Sequence, residues 1–191
     1  SNTAKYPVPY LYYAGRFYEH RLKSFFFVLD AIKNYKNINL VIRSLGPANL
    51  ESILIKYAGD LNLKDRVFVL EPEAHDVIHE ESSHSLANIV LEDISTHTIH
   101  SKGTLTGKFF ELLPLQPPIL AVAREDSEMG SILSATNKGR LCSSQKEVTA
   151  FLNLLISDRD VFQPNNTTIS QYSRKMQAEK LCGLMTSVIA Q

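Results

Sequence analysis

Apolar residues recur along this chain in two rhythms. Short apolar or alternating runs are separated by longer stretches in which apolar positions fall three and four residues apart. "YLYYAG" (Tyr10 to Gly15) reads as a strand closed by a glycine turn, and "LKSFFFVLDAIKNY" after it as a helix. "INLVIRSLG" (Ile38 to Gly46) is a second strand, with Pro47 opening a helix that runs toward Leu61. "RVFVLE" (Arg66 to Glu71) is a third strand, "AHDVIHEESSH" a short polar helix, and "LANIVLE" (Leu86 to Glu92) a fourth strand. The pattern then predicts a helix from Thr104 to Leu115, the strand "PILAVA", a helix over "DSEMGSILSA", the short strand "KGRLCS" and a helix over "QKEVTAFLNLLIS". A polar gap from Asp158 to Thr168 reads as a linker to a terminal helix from about Ser170 to Ala190.

Strands that alternate with helices imply βαβ units and a parallel sheet. "PILAVA" is apolar without alternation, as a strand covered on both faces requires. The expected fold is α/β: a Rossmann-like, doubly wound parallel sheet of about six strands with helices on both faces. Residues 1–191 are expected to form one such domain, a size that suits the length.

Composition narrows the function. The hydrophobic fraction of 44% is enough for a real core. Lys and Arg number 20, as do Asp and Glu, so a general nucleic-acid binder, which carries a basic excess, is disfavoured. Cys142 and Cys182 have no close-spaced partners, which excludes a zinc knuckle or a CxxC pair and suits a reducing compartment. No apolar run approaches the roughly 18 residues of a membrane span.

The segment "KGTLTGKFFELLPLQPPILA" (Lys102 to Ala121) has the look of a phosphate loop but fails the Walker pattern. Three residues separate Gly103 from Gly107, and Phe109 stands where a Mg²⁺-binding hydroxyl is needed. "YAGRFYEH" has one glycine, so the dinucleotide fingerprint is absent too. On a helix, Leu105, Phe109, Leu112 and Leu113 share one face, while Thr104, Gly107, Lys108 and Glu111 share the other. That polar stripe lies at the carboxyl edge of a parallel sheet, where open α/β folds bind ligands, and a helix start there suits a phosphate. On spacing alone, Lys108 and Glu111 read first as a solvated i,i+3 pair worth about 0.2–0.5 kcal/mol. A second basic element is Arg16, directly after Gly15, followed by Arg21 and Lys23. Cations at a helix start oppose its dipole, so their presence there points modestly to an anion.

Together these residues resemble the nucleotide-sugar-binding C-terminal domain of GT-B glycosyltransferases of the family 4-like kind. The resemblance runs through "YAGRFYEHRLKSFFFVLDAI", "NLVIRSLGP", "LNLKDRVFVLE", "GKFFELLPLQPPILAVA" and "SILSATNKGRLCSSQKEVTAFL", in order, over nearly the whole chain. It implies that Glu111 is the second glutamate of the family's E-x7-E motif, bonding the donor's ribose. It implies that Arg16, with Arg21 or Lys23, holds the donor diphosphate. Thr106, Gly107 and Lys108 complete the expected substrate-binding set. The motif's first glutamate falls at Gly103 and is missing. The resemblance further implies a transferase that moves a sugar from UDP- or GDP-sugar in glycan or polysaccharide synthesis, with no metal and no cofactor. It implies an acceptor domain N-terminal to Ser1, a terminal helix with exposed apolar surface that offers a route to oligomers, an isolated domain that transfers nothing, and a cytoplasmic place at the inner face of the membrane. A non-catalytic interaction module and a sugar-nucleotide epimerase domain are the alternatives. His75 and His79, with Asp76 and Glu80, have the spacing of two metal ligands but read as a polar surface helix, with "EPEAHD" helping to frame the base. His97 and His100 precede Gly103 in a polar loop. Ser143 and Ser144 show no G-x-S-x-G elbow.

Overall fold

The computed structural model describes residues 6–7, 9–95 and 105–189. Expectations placed on His97, His100, Gly103 and Thr104 lie outside the described residues. Six parallel strands form one sheet in the order β3-β2-β1-β4-β5-β6. They are β1 (Tyr10–Arg16), β2 (Asn39–Leu45), β3 (Val67–Leu70), β4 (Ala87–Leu91), β5 (Ile119–Val122) and β6 (Gly139–Cys142). The helices are α1 (Leu22–Ile32), α2 (Ala48–Asp60), α3 (His75–Ser83), α4 (Gly107–Leu112), α5 (Glu128–Thr136), α6 (Gln145–Ser157), α7 (Asn166–Ser170) and α8 (Arg174–Ile189).

Alternation in β1 sends its side chains to two faces. Leu11 and Tyr13 join Phe25 and Leu29 of α1, Leu54 of α2 and Phe151 of α6 in one buried cluster. Tyr10 and Tyr12 face the other way, with Tyr6, Val41 and Ile78 of α3. A third cluster on that second face gathers Phe109, Leu112, Ala121, Met129, Leu133 and Ile169.

Local chemistry sets several boundaries. Ser144 and Glu147 form a reciprocal capping box at the start of α6. Pro47 stands as the N-cap of α2. Gly139 has φ +150°, and a Cβ there would meet the Ile119 carbonyl at 2.0 Å, so the entry to β6 admits only glycine. Helix α4 is shorter than the expected 104–115: it ends at Leu112, because Pro114 has no N–H to give the Phe110 carbonyl. The terminal helix begins at Arg174 rather than Ser170, after the separate turn α7. The 158–168 stretch is docked, with Val161 and Phe162 against the first cluster and the Asn165 N–H donating to the Thr136 carbonyl at 2.8 Å.

Candidate functional site

The sheet order reverses direction between β1 and β4, the topological switch point at which open α/β sheets take ligands. Strand β1 pairs with β2 from Tyr10 to Arg16, but with β4 only at Leu11 and Tyr12. Beyond Tyr12 the two strands part, and a crevice of about 220 Å³ opens between their carboxyl ends. Tyr13 to Arg16 form one wall and Ile89 to Glu92 the other, with Tyr18, Arg21, Thr106 and Lys108 around them.

The sequence-selected residues are distributed as follows. Arg16, Arg21, Thr106 and Lys108 line this one crevice. Gly107 and Glu111 line a neighbouring, more apolar crevice of about 640 Å³, with Leu105, Phe110, Ile132 and Tyr172. Lys108 joins the two: its Nζ lies 3.8 Å from a Glu111 carboxylate oxygen. Glu111 also faces Arg174 at the start of α8, at 3.5 Å. Lys23 lies exposed in the first turn of α1 and lines neither crevice.

Arg16 ends β1 with an exposed side chain, and among the described residues no carboxylate pairs with it. Its carbonyl accepts the Tyr13 hydroxyl at 2.7 Å, which pins the strand tip. Arg21 is the N-cap of α1, whose first turn contains no acidic residue. The structure therefore keeps the unfavourable placement of cations against the helix dipole.

One side chain of the crevice wall escaped sequence reasoning. Glu92 follows the last residue of β4, is 6% exposed, and forms part of the crevice wall. Its carboxylate accepts from a single nitrogen of Arg21, Nη2, at 3.1 and 3.3 Å. Burial raises the Glu92 carboxyl above the ordinary carboxylate range, and Arg21 opposes that shift. The Ser24 hydroxyl donates to the Glu92 carbonyl at 2.6 Å, which ties the tip of β4 to α1. The available signal was a lone carboxylate at the end of an apolar strand beside the switch point.

The loop before α3 is held by a buried ion pair. Arg43 of β2 gives Nε and Nη2 to Glu81 of α3 at 3.0 and 2.8 Å, and Nη1 to the Glu71 carbonyl at 2.8 Å. Tyr6 and Tyr12 donate to the two Glu81 oxygens at 2.8 Å each, and Tyr10 to its carbonyl at 2.7 Å. Despite its burial, the Glu81 carboxyl is drawn down to about 2 by the bonds from Arg43, Tyr12 and Tyr6. Among the described residues no group of three His, Cys, Asp or Glu side chains is placed to hold a metal ion. His75 and His79 stack with ring centroids 6.5 Å apart.

No protein-family model matches the chain, and no curated protein matches it in sequence. Solved structures do match its fold. The chain is similar to sucrose-phosphate synthase from Thermosynechococcus elongatus, with TM-score 0.75 and 14% identity, over 95% of this chain and 46% of that one. It is similar to Anabaena HepE in complex with UDP and glucose, with TM-score 0.68 and 12% identity, over 93% of this chain and 48% of that one. It is also similar to the C-terminal domain of a group 1 family glycosyl transferase (LpcC) from Francisella tularensis, with TM-score 0.59 and 13% identity, over 91% of this chain and 86% of that domain. The chain thus spans about half the length of the first two proteins. It shares the Rossmann-like fold of glycosyltransferase C-terminal domains.

Proposed function

We propose that this chain is the donor-binding half of a nucleotide-sugar glycosyltransferase. The observation that carries the reading is the meeting of Arg16, Arg21, Thr106 and Lys108 in one crevice at the β1–β4 switch point. A crevice of 220 Å³ suits a diphosphate and is small for a whole nucleotide, so the nucleoside must extend beyond it. Glu111, one helical turn from Lys108 and in the adjoining crevice, then meets the ribose hydroxyls. Its pairs with Lys108 and Arg174 are partly exposed, and pairs of that kind contribute about 0–1 kcal/mol, so a ligand can displace them.

The mechanism follows from charge. As the glycosidic bond breaks, negative charge grows on the leaving diphosphate. Fixed cations aimed at that position stabilise the transition state more than the ground state. Arg16 has no competing carboxylate among the described residues and is the principal candidate; Arg21 and Lys108 are its partners. The similarity to HepE, whose structure holds UDP and glucose, supports the donor assignment. The base, the sugar and the acceptor belong to chemistry outside this crevice. The exposed apolar side chains on α8 support a missing acceptor half that packs there in the natural protein.

Calorimetric titration with UDP, GDP and ADP tests the reading. The expected result is weak saturable binding of at least one diphosphate, with a Kd between about 10 μM and 1 mM. Arg16→Ala is expected to weaken it at least about tenfold. No binding of any of the three, in folded protein, contradicts the reading and favours an interaction module.

A further inference from the structure

The Arg21–Glu92 pair is not built as a stabilising pair would be. A stabilising arginine–carboxylate pair uses two nitrogens in a parallel fork. Here both Glu92 oxygens share Nη2, at 3.1 and 3.3 Å. Among the described residues Nη1 reaches the Arg16 carbonyl at 3.4 Å, Nε is buried with no hydrogen-bond partner, and the guanidinium carbon lies 5.0 Å over the Tyr18 ring. A buried carboxylate needs a strong return for its desolvation. This one receives a single-nitrogen contact, in the wall of a crevice whose other charged side chains are cationic. Its consequence is electrostatic. Arg16, Arg21 and Lys108 bring three positive charges, and Glu92 leaves two in excess.

We propose that Glu92 is a specificity-determining residue that sets the crevice's charge to narrow its preference for the free nucleoside diphosphate over the diphosphate diester of a sugar nucleotide. The inference rests on the donor-binding reading. The diester bridge carries one negative charge on each phosphate. The free nucleoside diphosphate ends in a monoester that carries nearly one more at neutral pH. That extra charge meets the Glu92 carboxylate in a confined, partly desolvated space, where like charges repel more strongly than in water. The carboxylate thus weakens the hold on the nucleoside diphosphate left behind, relative to what the three cations alone would give.

Competitive calorimetry with UDP-glucose, UDP and UTP as probes tests this on the 191-residue chain. In the wild type the two excess positive charges still attract added ligand charge, so affinity is expected to rise only a little from UDP-glucose to UDP. Glu92→Gln keeps an acceptor for Arg21 and removes the charge. It is expected to raise the affinity for UDP relative to UDP-glucose about tenfold, and less at high salt. Glu92→Asp keeps the charge and is expected to keep the wild-type ratio. An unchanged ratio in a folded Glu92→Gln protein overturns the inference and leaves the donor reading standing. So does a Glu92→Asp protein whose ratio shifts as far as that of Glu92→Gln. A wild type that binds none of these probes overturns the inference, and one that binds neither GDP nor ADP as well overturns the donor reading too.

Discussion

Single residues decide how firmly the site's frame is held, and the Arg43–Glu81 pair is the clearest case. Both side chains are buried, at 5% and 7% exposure; the Tyr6 and Tyr12 hydroxyls donate to the Glu81 carboxylate, and Tyr10 donates to its backbone carbonyl. Removing one partner leaves the other charge buried alone. Glu81→Ala is therefore expected to cost about 3–5 kcal/mol in urea unfolding, without touching the crevice. The acid limb follows from the same group. A carboxyl held at about 2 in the folded state, below its unfolded value, contributes stability that is full above the unfolded value and is lost as pH falls toward 2. The alkaline limb has the opposite sign. Tyr6 and Tyr10 are pushed up to about 12, chiefly by burial, so their contribution is lost as pH rises from 10 toward 12.

At the scale of elements, the sequence was legible where a strong periodicity met a clear stop signal. Helix α6 runs from Gln145 to Ser157 as its capping box and apolar spacing require, and β1 to β6 fall within a residue or two of the expected runs. Legibility failed where tertiary contacts decide. Nothing local to the 158–168 stretch announces that Phe162 docks against Phe151. Arg21 and Glu92 stand far apart in sequence and meet only because β1 and β4 are neighbours, so the carboxylate in the crevice had no sequence partner to reveal it. Lys138 is a similar case. It precedes β6, is fully buried, and gives its ammonium to the carbonyls of Leu115 and Gln116 in the turn after α4. Burial lowers its pKa to about 8. The unfolded chain then binds more protons between pH 8 and 10.5, so stability is expected to rise across that window, by up to about 3 kcal/mol. Chemical denaturation at pH 7.5 and pH 9.5 measures this rise, and Lys138→Met is expected to abolish it.

For the molecule as a whole, two surfaces matter: the carboxyl edge of the sheet and the outer face of α8. Leu181, Leu184, Met185 and Val188 follow the i, i+3, i+4, i+7 spacing of one helical stripe and are 56–72% exposed. If that stripe packs against an acceptor half in the natural protein, it is an adhesive surface in the isolated chain. Replacing Leu181 and Val188 with glutamate is expected to shift any concentration-dependent dimer to monomer in sedimentation experiments. The melting temperature should barely move, since exposed substitutions change stability by only about 0.5 kcal/mol. A fall of several degrees with no change in mass would contradict that role.

At the carboxyl edge, a crystal structure of the chain with UDP bound is the most direct measurement. The diphosphate is expected between the tips of β1 and β4, within hydrogen-bond distance of Arg16 and Lys108, with the ribose on Glu111 released from Arg174. A nucleotide seated at the opposite edge of the sheet, in the crevice of about 440 Å³ between Asn34 and Arg159, would contradict the donor-binding function outright.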